Sequence, residues 1–170
     1  LSLFARRYSD LAAAMAAKTT DPQRKKDLEE IAAVCAWVPE NPARTFREAL
    51  QAQWWGQMFN RIEQTSGAMG QGRWDQYLWP FYQKDLAEGR ITKESAVELL
   101  HCVWLQMAQC VELKLNPVTA AGTEGFSKFE DICLGGQTPD GLDATNELTY
   151  LILESTRSLP ITTPEACVRI

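Results

Sequence analysis

Residues 61–80 read RIEQTSGAMGQGRWDQYLWP, and this stretch decides how the rest of the chain is read. Its first residues close an amphipathic run. Residues 66–72 (SGAMGQG) are then small, and the three glycines among them let other groups approach the backbone closely. Arg73-Trp74-Asp75-Gln76-Tyr77 follows, dense in hydrogen-bonding and aromatic side chains. Two readings of the small-residue loop stand side by side. It is a plain connection between helices, or it is the floor of a buried pocket.

Upstream, residues 3–18 are alanine-rich and predict a helix. Asp21-Pro22 starts a second, with a cap residue followed by proline in the first turn, and Pro39 and Pro42 end it just past Trp37. Thr45-Phe46-Arg47-Glu48 has the pattern of a capping box and opens a third helix reaching Gln64. In that helix Phe46, Ala49, Leu50, Trp54 and Met58 recur on the helical period, so one face is buried. Trp54 and Trp55 read as core packing.

Downstream, residues 74–88 predict a helix interrupted at Pro80, with a stop at Glu88-Gly89-Arg90. Thr92 caps a long helix to Lys114, with Val97, Leu100, Val103, Trp104 and Met107 inward and His101 and Cys102 at core or rim. Residues 115–128 form a loop. Residues 129–134 (FEDICL) suit a buried strand, Asp143 caps a helix to Ser158, and residues 166–170 begin another strand. Strand, helix and strand in that order imply an α/β layer. The expected organisation is a helical layer over 1–114 and a strand-helix-strand portion over 115–170.

The net charge of −5 argues against a nucleic-acid partner, since phosphate binding needs a basic surface. No apolar run approaches the roughly 18–20 residues of a membrane span. Five scattered cysteines without a Cys-x-x-Cys, and a single histidine, argue against zinc and fit reduced thiols in a cytoplasmic protein. The first residue is not methionine and the last residues stop in a predicted strand, so we expect an internal piece of a longer polypeptide.

Several blocks in order resemble the glycyl radical enzymes, the pyruvate formate-lyase-like family. They are 42–50 (PARTFREAL), 73–80 (RWDQYLWP), 85–91 (DLAEGRI), Leu134-Gly135-Gly136 and 143–148 (DATNEL), with the Ile62-Glu63 pair ahead of the small-residue loop. The likeness implies a fragment of a ten-stranded β/α barrel built from two five-stranded halves, mostly helical here and supplying the first strands of one half-barrel. It also implies that catalysis belongs to two loops outside these residues, a cysteine loop and a glycyl radical loop. None of the five cysteines has a glycine before it and an acid two residues later, so no catalytic residue is assigned, and no metal. No cofactor is expected to bind this stretch directly. The glycyl radical would be installed by an activating enzyme using S-adenosylmethionine and an iron-sulfur cluster.

Polyol dehydratases of this family carry a His and a Ser that bind substrate hydroxyls. Counted back from Gly72-Arg73, these fall on Gly67 and Ala68. Losing both polar groups would leave a buried hydroxyl unpaired, at about 1–3 kcal/mol, which argues against a polyol. Phe129 falls where several members place a substrate-contacting aromatic. Gly67, Ala68 and Phe129 are therefore the expected substrate-binding residues. The variant RIEQT followed by GQGR resembles the X-succinate synthases (alkylsuccinate and benzylsuccinate synthases). That resemblance implies radical addition of a hydrocarbon to fumarate, in an apolar, water-excluding pocket. Expected partners are hydrocarbon and fumarate, the activating enzyme, small accessory subunits and further copies of the protein. The alternatives are an arylacetate decarboxylase, a lyase or dehydratase breaking a carbon–heteroatom bond, or a helical interaction module without chemistry.

Overall fold

Seven helices and three strands are defined in the computed structural model, which describes residues 1–63, 69–110 and 130–169. In chain order they are α1 (Ser2–Ala16), α2 (Pro22–Trp37), α3 (Phe46–Glu63), β1 (Met69–Arg73), α4 (Trp74–Tyr77), α5 (Trp79–Ala87), α6 (Lys93–Ala108), β2 (Glu130–Gly135), α7 (Glu147–Ser158) and β3 (Glu165–Arg169). They form two units, Leu1–Asn60 and Arg61–Ile170.

In the first unit the caps act as the sequence predicts. Asp21 accepts from the backbone N–H of Gln23 at 2.9 Å and of Arg24 at 3.3 Å, with Pro22 at the start of α2. Thr45 Oγ1 accepts from the Glu48 N–H at 3.2 Å. The Glu48 carboxylate turns back on the Arg44 N–H at 2.7 Å and grips the Arg44 guanidinium at 2.5 Å. The same Arg44 lies 3.9 Å over the Trp37 ring. Helices α1 and α2 pack through small residues. Ala12 and Ala16 meet Leu28, while Ala5, Val34, Cys35 and Val38 gather around Trp55 of α3. Trp55 is therefore core, as expected, and Phe4 meets its ring edge-on at 5.8 Å. Side chains the size of Leu28 and Val34 contribute about 1.5–3 kcal/mol each when fully buried, the alanine methyls less.

The second unit is built on a three-stranded parallel sheet in the order β1-β2-β3. The path β2-α7-β3 runs strand, helix, strand. Ile132 and Leu134 of β2 are fully buried, in a core that includes Trp74, Leu78, Leu100, Trp104, Met107, Leu148 and Ile152. Trp74 and Trp104 stack obliquely, with ring centroids 5.1 Å apart. In α6 Ala96 takes the buried place expected for Val97, which is half-buried; Leu100, Val103, Trp104 and Met107 are inward as expected. Thr92 caps α6 in a reciprocal box with Ser95.

Three expectations change. The second half of the supposed loop at 66–72 belongs to a strand, β1, whose Met-Gly-Gln-Gly-Arg sequence has no β-branched residue to announce it. It is a strand because β2 pairs with it, in register Met69 to Glu130 and Gly70 to Asp131, with an irregularity before Arg73 meets Cys133. The helix after it breaks at Leu78, two residues ahead of the expected proline. Pro80 sits in the first turn of α5, where its missing N–H removes no helix bond. Helix α7 is capped by Asn146, not Asp143. Asn146 Oδ1 accepts from the Thr149 N–H at 3.2 Å and Thr149 Oγ1 from the Asn146 N–H at 3.0 Å, whereas Asp143 accepts from the Thr145 N–H at 2.9 Å in the preceding turn. The predicted end of α6 near 114, the loop at 115–128 and residues 129 and 170 lie outside the described residues.

Candidate active-site wall

The segment Arg73–Tyr77 follows the small-residue stretch, and its side chains are committed to holding the sheet together. Arg73 reaches across the ends of the strands, donating to the Gly135 carbonyl at 2.6 Å and the Gln137 carbonyl at 3.0 Å. Asp75 is fully buried; its Oδ2 accepts from the Gly135 N–H at 2.7 Å and from the Thr149 hydroxyl at 2.6 Å. Asn146 Nδ2 donates to the Asp75 carbonyl at 2.8 Å, and Gln76 Nε2 to the Ala144 carbonyl at 2.8 Å. Tyr77 is partly exposed, yet its hydroxyl donates to the Gln71 carbonyl at 3.0 Å, and burial pushes that phenol well above the usual tyrosine range. Four of the blocks that carry the resemblance are thus structural. Arg73–Tyr77, Gly135-Gly136 and the Asp143–Thr149 turn are one hydrogen-bonded knot. The Asp85–Arg90 block is a helix stop, with the Arg90 guanidinium on the Asp85 carboxylate at 2.7 Å.

Gly135 shows why the knot needs glycine. Its φ is +68°, and a Cβ added there would lie 2.8 Å from the Arg169 carbonyl oxygen. Both the backbone angle and the space exclude a side chain.

A second polar cluster sits under the opposite ends of the strands. Glu130 shares the buried face of β2 with Ile132 and Leu134 and is fully buried. Its carboxylate pairs with the Arg61 guanidinium and accepts from Gln71 Nε2 at 3.2 Å. Gln71 Nε2 also lies 3.6 Å from the Met107 sulfur. Buried ionised groups persist only when paired. The sequence carried a signal for this trio that was not used: period-2 alternation in EDICL puts Glu130 on the face of Ile132 and Leu134, where an acid demands a cation.

The expected substrate-binding residues Gly67, Ala68 and Phe129 lie outside the described residues. What the structure places are their immediate successors. Met69 and Glu130, which follow Ala68 and Phe129, are register partners on β1 and β2. Arg61 and Gln71, which bracket Gly67 and Ala68, both meet Glu130.

His101 is a rim residue. Its Nε2 lies 3.0 Å from Ser158 Oγ and 3.2 Å from the Ser155 carbonyl, tying α6 to α7. Cys102 is exposed. Cys110 lies just past α6, with its thiol on the Gln106 carbonyl at 3.4 Å. Among the described residues no three His, Cys, Asp or Glu side chains converge on a metal position, and no helix is long and apolar enough to cross a membrane.

The family model described as pyruvate formate lyase-like matches residues 1–170. The isethionate sulfite-lyase of Nitratidesulfovibrio vulgaris is 58% identical over 169 residues, which are 99% of this chain and 20% of that protein. The isethionate sulfite-lyase of Oleidesulfovibrio alaskensis is 57% identical, with the same coverage of 99% and 20%. A solved structure concerned with 1,2-propanediol dehydration in Roseburia inulinivorans superposes with a TM-score of 0.90 at 38% identity, covering 99% of this chain and 20% of that one. The chain therefore spans about a fifth of the length of the relatives it matches.

Proposed function

The chain belongs to the pyruvate formate lyase-like family of glycyl radical enzymes, and from that premise we propose that it is part of a lyase that splits a carbon–heteroatom bond, with isethionate as substrate. The observation that carries this is the gap between 58% identity to a sulfite-lyase and 38% to a diol-dehydrating relative over nearly the same residues. Radical addition of a hydrocarbon to fumarate gives way to this reading, because the relatives above are named for sulfite release and dehydration. Isethionate itself carries one hydroxyl, which Gly67 and Ala68 cannot bind, so that group would take its partner from other residues.

The net reaction is redox-neutral. Isethionate (2-hydroxyethanesulfonate) would lose its C–S bond to give acetaldehyde and hydrogensulfite, with every atom of the substrate accounted for in the two products. Hydrogen-atom abstraction would be supplied by the family's cysteine and glycyl radical loops after activation by an S-adenosylmethionine enzyme. The residues of this chain would contribute a wall and its support. Gly67 and Ala68, with Phe129, would shape the pocket. Support for that grouping comes from the register pairing of Met69 with Glu130, and from the Arg61–Glu130–Gln71 cluster that binds the flanks of both stretches together.

The test is made on the full-length protein carrying this chain, activated without oxygen. Isethionate should yield sulfite and acetaldehyde in equal amounts, while 1,2-propanediol gives little aldehyde. Ala68→Phe should fill the pocket and lower turnover while leaving the radical signal in electron paramagnetic resonance intact. Efficient diol dehydration would favour a dehydratase. A fumarate adduct of a hydrocarbon would restore the addition chemistry.

A further inference from the structure

The face of the sheet turned away from Ile132 and Leu134 carries two thiols that no part of the proposed reaction uses. Cys133 of β2 and Cys167 of β3 are register partners in the parallel pairing. Paired residues on neighbouring strands project to the same face, with Cα atoms about 4.8 Å apart. Among the described residues Cys133 and Cys167 are both free thiols, Cys133 being half-buried. The Arg169 guanidinium lies 3.8 Å from the Cys133 sulfur, on the same side of the sheet. Neither flanking pair offers a second thiol: Ile132 faces Ala166 and Leu134 faces Val168.

From this juxtaposition we infer that Cys133 and Cys167 form a dithiol modification site, which closes to an intramolecular disulfide by exchange with a small disulfide. A bridge needs Cα atoms between about 4.4 and 6.8 Å apart with Cβ atoms on one side, and in-register neighbours meet both conditions. In the first step one protein thiolate attacks the small disulfide, forming a mixed disulfide and releasing one small thiolate. In the second, the neighbouring protein thiolate attacks the protein sulfur of that mixed disulfide and releases the second. The two protein thiols are oxidised by two electrons, and one small disulfide is reduced to two thiols. Negative charge on sulfur during both steps is stabilised by the adjacent guanidinium. Closure would fasten β3 to β2 covalently.

The sequence makes the product easy to read. Trypsin cuts after Lys128, Arg157 and Arg169, so Cys133 and Cys167 fall on different peptides, 129–157 and 158–169. The folded full-length protein is treated without oxygen with oxidised 2-mercaptoethanol, quenched in acid and digested without reduction. The expected result is a linked species two hydrogens lighter than the sum of the two peptides, with neither peptide carrying a stable mixed disulfide. Cys133→Ser and Cys167→Ser should each abolish the link and leave one 2-mercaptoethanol adduct on the remaining cysteine. Two independent adducts on the parent protein, or both thiols unmodified, would overturn the site.

Discussion

Asp75 and Thr149 are 74 residues apart in sequence and joined by a 2.6 Å hydrogen bond in the interior of the second unit. The same carboxylate oxygen holds the Gly135 N–H, so one acid connects the start of α4, the end of β2 and the first turn of α7. Asp75→Ala should leave two buried donors without their acceptor, each costing about 1–3 kcal/mol. Thr149→Val removes one donor together with half of the α7 cap and should cost less. Urea midpoints of the two variants are the measurement. Equal and negligible losses would mean the knot does not support the fold.

Gly135 and Gly141 separate strain from crowding. Both have positive φ, +68° and +78°, but only at Gly135 would a Cβ meet backbone, 2.8 Å from the Arg169 oxygen. Gly141→Ala is expected to cost on the order of 1 kcal/mol from the left-handed backbone alone. Gly135→Ala should cost more, because β3 must also move. Thermal melts of the two variants decide it, and the prediction fails if Gly141→Ala is the more damaging.

The buried ion pair gives a double-mutant prediction. Glu130→Leu alone strips the Arg61 guanidinium of its carboxylate, a loss of about 3–5 kcal/mol. Adding Arg61→Met should recover most of it, since an apolar pair of similar volume removes both desolvation penalties. Additive losses in the cycle would show that the two residues do not act through each other.

Glu48 supplies a pH dependence. Burial works to raise its pKa, but hydrogen bonds from the Arg44 side chain and N–H, the Arg44 charge and the Thr45 N–H together hold it below the ordinary glutamate value. A carboxyl depressed on folding stabilises above the unfolded-state pKa, and that stability is lost as pH falls through the folded-state value. Glu48→Gln should therefore be less stable than the parent near neutral pH, with the gap narrowing under acid. Urea midpoints across pH 3 to 7, roughly spanning carboxylate titration, would show the two curves converging; parallel curves would remove Glu48 from the account.

How much of this was legible beforehand depended on whether the signal was local. Asp21-Pro22, Thr45 through Glu48 and Thr92 announce helix starts through bonds made within a turn, and each capped its helix as expected. FEDICL announced β2 by its own composition. Strand β1 could not be found this way, because Gly70-Gln71-Gly72 becomes extended only when β2 supplies the ladder. The true cap of α7 was missed because Asp143, Asn146 and Thr149 all qualify locally, and the choice falls to Asn146, whose side chain also reaches the Asp75 carbonyl. The RWDQY block was singled out correctly as a place where groups converge. What it does there is not legible locally, since convergence serves structure as readily as catalysis and only partners 60 to 74 residues distant tell them apart.

The strand order also sets a sequence of events for the growing fold. Parallel neighbours cannot be zipped from a hairpin, so each must wait for a loop to close. The Cys133–Arg169 contact spans 36 residues and the Arg73–Gly135 contact spans 62, a difference in closure entropy of only about 0.5 kcal/mol. The spans differ more in content: β2 to β3 carries α7 alone, while β1 to β2 carries α4, α5 and α6. The β2-α7-β3 arm can therefore assemble first and serve as a template, with β1 the last strand to be recruited. Glycines 70 and 72 leave that late strand little to contribute until the template exists.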